Sequence, residues 1–143
     1  MQQLSPLTDF KSDSREEDYW LQMTKIQIRE LSASPLVTIG AHGYYHNDLS
    51  QISIGQAKDE MIRSKRYLED ITGKEVKALA FPYGAYTEEV KEEAKKIGFS
   101  QLLATQFLFQ KDREDATMRE RLTINPFISV INQMHANTTG HYG

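Results

Sequence analysis

Ala78-Leu79-Ala80-Phe81-Pro82-Tyr83-Gly84 opens a stretch that ends at Leu102-Leu103-Ala104-Thr105, and its order of signals decides the fold. A short apolar run reads as a buried strand, and proline and glycine then break it into a turn. Thr87 stands where a helix N-cap belongs, and Val90, Ala94 and Ile97 follow at i, i+4, i+7 spacing before Gly98. Leu102 to Thr105 is the next apolar run. Strand, turn, helix and strand in this order make a βαβ unit, which implies a parallel sheet with helices packed on it.

The same alternation extends outward. On the N-terminal side, Ser53 and Gln56 form a capping-box pattern, and Ala57, Met61, Leu68 and Ile71 fall on one stripe before Gly73. Leu36-Val37-Thr38-Ile39, between Pro35 and Gly40, reads as an earlier strand. Before it, Tyr19, Leu21, Met23, Ile26, Ile28 and Leu31, with the acids Glu16, Glu17 and Asp18 leading, predict a helix from Ser14 or Arg15 to Ser32. Residues 1–14 are polar and proline-broken, a flexible lead-in to one domain over 15–143.

On the C-terminal side, Lys111 to Arg121 is charged enough to read as a solvated connection. Leu122-Thr123-Ile124 follows as a fourth strand closed by Pro126, and Val130, Ile131 and Met134 suggest a last short helix. The expectation is an α/β domain of about four parallel strands alternating with helices. Open edges on such a sheet favour covering by a second copy, a homo-oligomer.

Composition narrows the function classes. With 143 residues the chain is too short for a complete eight-fold barrel, which takes about 250. A net charge of −3 offers no basic surface for nucleic acid or anionic membrane. Absence of cysteine removes disulfides, thiol catalysis and zinc ribbons. No apolar run reaches membrane-spanning length, and Met1 to Asp9 lacks the basic and apolar regions of an export signal. A small polar or neutral partner is expected.

Chemistry concentrates at two strand ends. Gly40-Ala41-His42-Gly43-Tyr44-Tyr45-His46-Asn47-Asp48 places two histidines four residues apart. At that spacing both imidazoles can converge on a zinc, cobalt or nickel ion, although such a pair taken alone is more often two ordinary loop residues. The second strand end carries Pro82-Tyr83-Gly84, where proline fixes one φ and glycine allows a sharp turn. Such a turn can aim the Tyr83 backbone N–H at a developing oxyanion, or be a common turn and nothing more.

Together, H-x-x-x-H after one strand and F-P-Y-G-x-Y after the next resemble the polysaccharide deacetylases, carbohydrate esterase family 4, from about Leu36 to Phe99. The resemblance implies a partial (β/α) barrel and metal-dependent hydrolysis of acetyl groups from an acetylated polysaccharide. His42 and His46 match the metal ligands, with zinc the expected cation and cobalt or nickel alternatives. Tyr83 matches the catalytic oxyanion donor, and Pro82, Tyr83, Gly84, Tyr44 and Tyr86 the substrate-binding set, with Tyr45 and Phe81 as further candidate groove aromatics. Ala80 stands where fuller versions of the motif carry arginine, as in the subgroup similar to enzymes acting on poly-N-acetylglucosamine. Poly-N-acetylglucosamine or chito-oligosaccharide is the implied glycan, and members are usually exported to the cell envelope.

The family's aspartate pair and its Leu-x-His are missing from this sequence, and His135 and His141 do not match the latter. A half-site that needs residues upstream of Met1, a non-catalytic carbohydrate-binding or assembly module, and substitution by Asp9, Asp13 or Asp48 are the three readings of that departure.

Overall fold

The structure, a computed structural model, describes residues 22–122 and 128–139. Its frame begins with helix α1, Lys25–Ala33, capped by Thr24, whose hydroxyl accepts the Gln27 N–H while the Gln27 side chain accepts the Thr24 N–H at 2.8 Å. This reciprocal cap fixes the start of the described helix at Lys25. The expected first turns and the 1–14 lead-in lie outside the described residues.

Helix α2, Ile54–Thr72, has the expected box between Ser53 and Gln56 and ends at Gly73, whose φ of 66° lets its N–H reach the Glu69 carbonyl at 2.8 Å. Its buried stripe is Ala57, Glu60, Met61, Ser64 and Ile71. Helix α3, Glu88–Ile97, starts where the Thr87 hydroxyl accepts the Val90 N–H at 3.1 Å. Glu88 and Glu89 in its first turn and Lys95 and Lys96 in its last suit the helix dipole. Helix α2 packs against both α1 and α3. No helix among the described residues is long and apolar enough to cross a membrane.

Strands β1, Ala78–Ala80, β2, Gln101–Ala104, and β3, Met118–Glu120, form a parallel sheet in the order β1-β2-β3. Register places Leu79 opposite Leu102 and Leu102 opposite Met118, so one row of buried side chains crosses the sheet. Phe81, Leu49 and Met61 complete the centre of the core.

Two expectations need correction. The run Leu36 to Ile39 forms no ladder: Leu36 is 93% exposed in a turn after Pro35. Pairing with β1 is limited to Ala41, whose N–H reaches the Ala78 carbonyl at 2.8 Å and whose carbonyl accepts the Ala80 N–H at 2.9 Å. Gly40 permits that approach, because a Cβ there would lie 3.2 Å from the Ala78 Cβ.

Lys111 to Arg121 is not a solvated connection. It contains a 3-10 turn, Gln110–Arg113, with Asp112 fully buried, and then β3. A strand not expected from the sequence, β3, begins at Met118, because Met118 supplies the apolar side chain in register with Leu102. Of the expected strand Leu122-Thr123-Ile124, residues 123 and 124 lie outside the described residues, as do 125–127; the sheet described has three strands and one bridge. The final helix, α4, Val130–Thr139, does form, but Ala136 is its buried residue, while Val130 and Ile131 are exposed.

Behind α3, Lys91 Nζ meets Asp112 Oδ1 at 2.5 Å, and the Tyr86 hydroxyl donates to Asp112 Oδ2 at 2.5 Å. Burial and the neighbouring carboxylate push the Tyr86 hydroxyl up to about 12. Its folded pKa exceeds the unfolded value near 10, so the linked stability is present below about pH 10 and lost as pH rises toward 12. Melting temperatures measured from pH 8 to 12 should fall more steeply for the native chain than for Tyr86→Phe. Parallel curves would show that this hydroxyl is not ionising on unfolding.

Candidate functional site

Because β1, β2 and the Ala41 bridge are parallel, the loop after Ala41 and the turn after β1 rise on one rim. The histidine loop curls back on itself there. Gly43 has φ 77° and His46 φ 61°, and the imidazoles of His42 and His46 end with Nε2 atoms 3.2 Å apart. His42 Nδ1 lies 2.7 Å from the Ala80 carbonyl oxygen. A carbonyl only accepts, so Nδ1 carries the hydrogen and Nε2 presents its lone pair toward His46.

Burial holds the His42 pKa below the usual imidazole value. The Ala80 carbonyl opposes that shift, and the neighbouring His46 and Arg121 add to it. His42 is thus kept in the neutral form in which an imidazole serves as a ligand.

The donor set fits a divalent cation. Tetrahedral coordination at about 2.0–2.1 Å separates two nitrogen ligands by roughly 3.3 Å, close to the 3.2 Å between these Nε2 atoms. The Nδ1–H to carbonyl bond of His42 is the outer contact that orients such a ligand. Among the described residues no group of three or more His, Cys, Asp or Glu gathers. Asp48 forms no such group with the two histidines, and its Oδ1 accepts the N–H and hydroxyl of Ser50 at 2.9 and 2.6 Å. His135 lies in α4, and Asp9, Asp13 and His141 lie outside the described residues.

Pro82–Gly84 form a single 3-10 turn in which Tyr83 has φ 58°. His46 and Tyr83 are the non-glycine residues with positive φ among those described, and such strain gathers at sites whose surroundings over-determine it. The Gly84 N–H closes on the Phe81 carbonyl at 2.9 Å and the Ala85 N–H on that of Pro82 at 3.1 Å. Tyr83 precedes both donors, so its N–H has no carbonyl inside the turn. Pro82 and Gly84 are buried beneath it, while the Tyr83 ring is exposed, edge-on to His46 at 5.0 Å between centroids.

The aromatic candidates divide. Tyr44 and Tyr45 are exposed, edge to face with centroids 4.9 Å apart, with the Arg63 guanidinium 4.2 and 5.1 Å from their rings. Tyr44 also lines an open cleft of about 690 Å³ with His42, Ile39, Tyr67 and Leu68. Tyr86 and Phe81 are not groove residues: they are 2% and 0% exposed and stack on each other at 5.0 Å, holding the turn from below.

Two residues absent from the sequence reading belong to this rim. Arg121, just past β3, donates from Nη2 to the Phe81 carbonyl at 3.3 Å, and its Nε is buried with no partner. Glu60 of α2 receives the backbone of Tyr44 and Tyr45. A glutamate on the same stripe as Ala57, Met61 and Ser64 was the signal available for it.

A family model described as "Polysaccharide deacetylase" matches residues 8–102. A Bacillus subtilis (strain 168) protein of the same description, YxkH, is 26% identical over 84 residues, covering 59% of this chain and 30% of the relative. The crystal structure of a Bacillus cereus polysaccharide deacetylase is 26% identical with a TM-score of 0.66, covering 93% of this chain and 44% of that one. A Streptococcus pyogenes deacetylase in complex with acetate shares the fold at 24% identity and a TM-score of 0.67, covering 79% of this chain and 50% of the other. The chain thus spans half or less of the length of the relatives it matches.

Proposed function

The chain belongs to the polysaccharide deacetylase family, and from that premise we propose that it serves the metal-dependent hydrolysis of acetyl groups from an acetylated polysaccharide. The observation that carries this reading is the pair of Nε2 atoms 3.2 Å apart, one of them oriented by the Ala80 carbonyl. His42 and His46 are proposed to hold the cation, zinc first and cobalt or nickel as alternatives. When bound, such a cation polarises the acetyl carbonyl and acidifies a water.

The residues present divide the remaining work. His42 is held neutral and in one tautomer. Tyr83 directs its N–H from a fixed turn toward the position where the carbonyl oxygen becomes an oxyanion. Tyr44 offers an exposed ring to a sugar face, with Pro82 and Gly84 forming the floor under Tyr83. Overall, water oxygen bonds to the acetyl carbon, the carbon–nitrogen bond to the sugar breaks, and the amine leaves with a proton as acetate forms. Ala80 in place of the motif arginine supports a poly-N-acetylglucosamine or chito-oligosaccharide substrate. We further propose that residues 15–143 act as one domain and that a second copy covers the outer edge of β3.

The test is uptake of zinc or cobalt, with acetate release from acetylated chito-oligosaccharide, in the native chain and in a His42→Ala, His46→Ala double variant. Uptake is expected in the first and a loss of at least a hundredfold in affinity in the second. Equal uptake by the two proteins removes the ligand assignment. Exposure of Tyr44, Tyr45 and Tyr83 on one rim also favours glycan binding without hydrolysis. Sugar binding that survives a chelator, with no acetate released, would select that second reading.

A further inference from the structure

We infer that Glu60 is the positioning residue of the histidine loop: its buried carboxylate holds the backbone just before His46 and the Asn47 side chain just after it, so that the two imidazoles face each other. This inference rests on the ligand role proposed for His42 and His46. Glu60 lies on α2, 3% exposed, on the helix face that packs into the core. Its Oε2 accepts the N–H of Tyr44 at 2.6 Å and of Tyr45 at 2.8 Å, and its Oε1 accepts Asn47 Nδ2 at 2.6 Å. The donors come from residues 44, 45 and 47, and His46 stands between them.

The geometry requires such an anchor. His46 sits at φ 61°, a conformation that a residue with a Cβ holds only when its surroundings over-determine it. Three hydrogen bonds to one carboxylate, each strengthened by charge, provide that restraint. Gly43 belongs to the same device, because a Cβ there would come within 3.2 Å of Glu60 Oε2. The histidine spacing is thus joined to a side chain 14 positions beyond His46 in sequence.

Glutamine retains one oxygen for the two backbone donors and can give its amide to a flipped Asn47, so it should preserve the loop. Alanine cannot. The experiment compares Glu60→Ala, Glu60→Gln and the surface variant Asn47→Ala in the full chain, with Co²⁺ as the metal probe. A metal-free readout accompanies it: the nuclear Overhauser contact between the His42 and His46 rings. Glu60→Ala is expected to weaken Co²⁺ binding by roughly 10–100-fold, as loss of a ligand-orienting partner does, and to lose the ring-to-ring contact. Glu60→Gln should stay within about threefold of the native chain and keep that contact.

An alanine variant that folds, binds Co²⁺ within twofold and keeps the contact overturns the inference, as does a glutamine variant no better than alanine. If Glu60→Ala does not fold, Asn47→Ala decides: weaker binding with a diminished contact supports the inference, and native behaviour in both overturns it. A native chain that takes up no Co²⁺ defeats the ligand reading instead, and the metal-free ring contact then still decides the part played by Glu60.

Discussion

Replacing Asp112 by alanine is expected to destabilise the fold by about 3–5 kcal/mol, the range for removing one member of a buried ion pair. The residue has no exposed surface, and its two oxygens take Lys91 Nζ at 2.5 Å, the Tyr86 hydroxyl at 2.5 Å and the Phe109 N–H at 3.3 Å. Alanine would leave the Lys91 ammonium, itself 2% exposed, with Glu88 at 3.1 Å as its remaining partner. Native domains are stable by roughly 5–15 kcal/mol in total, so the loss would take a large share of the fold's margin. Urea denaturation measures it directly.

The same rule predicts that a Lys91→Met, Asp112→Leu double variant recovers most of that loss, because no charge is then stranded. A single variant less than about 1 kcal/mol below the native chain would mean that water reaches the pair and that the 3-10 turn at Gln110–Arg113 does not depend on it.

The ion pair also shows where sequence reading stops. Helices α2 and α3 are legible because their determinants are local: a capping hydroxyl, a stripe of apolar residues and a glycine with positive φ just past the last turn. Strands β1 and β2 are legible as apolar runs for the same reason. Asp112 looks like one charge among many between Lys111 and Arg121, and its burial depends on Lys91, 21 positions away. Leu36 to Ile39 is as β-branched as a strand, yet the turn at Pro35 leaves Leu36 in solvent and restricts pairing to Ala41. The rim follows the same division. The histidine spacing and the Pro-Tyr-Gly turn are local patterns, whereas Glu60 and Arg121 reach the rim from other elements and carry no motif of their own.

Gly84→Ala is expected to be the most damaging single-methyl change on that rim. The residue has φ 72°, a region that costs an alanine about 1–2 kcal/mol, and its Cβ would lie 2.8 Å from both Cβ and Cγ2 of Thr105. A collision with Cβ is not relieved by side-chain rotation, so either the backbone after β2 or the turn must move, which adds about 1–3 kcal/mol. The turn places the added methyl one residue from Tyr83, which already holds a strained φ of 58°. The displacement should therefore appear in the Tyr83 amide resonance as well as in a total loss of about 2–5 kcal/mol. Thr105→Gly in the Gly84→Ala background removes the collision and leaves the conformational penalty, so the double variant should recover all but about 1–2 kcal/mol and return the Tyr83 amide toward its native shift. If Gly84→Ala alone melts within half a kcal/mol of the native chain with an unmoved Tyr83 amide, the turn is not wedged against Thr105, and its N–H has no rigid seat from which to meet an oxyanion.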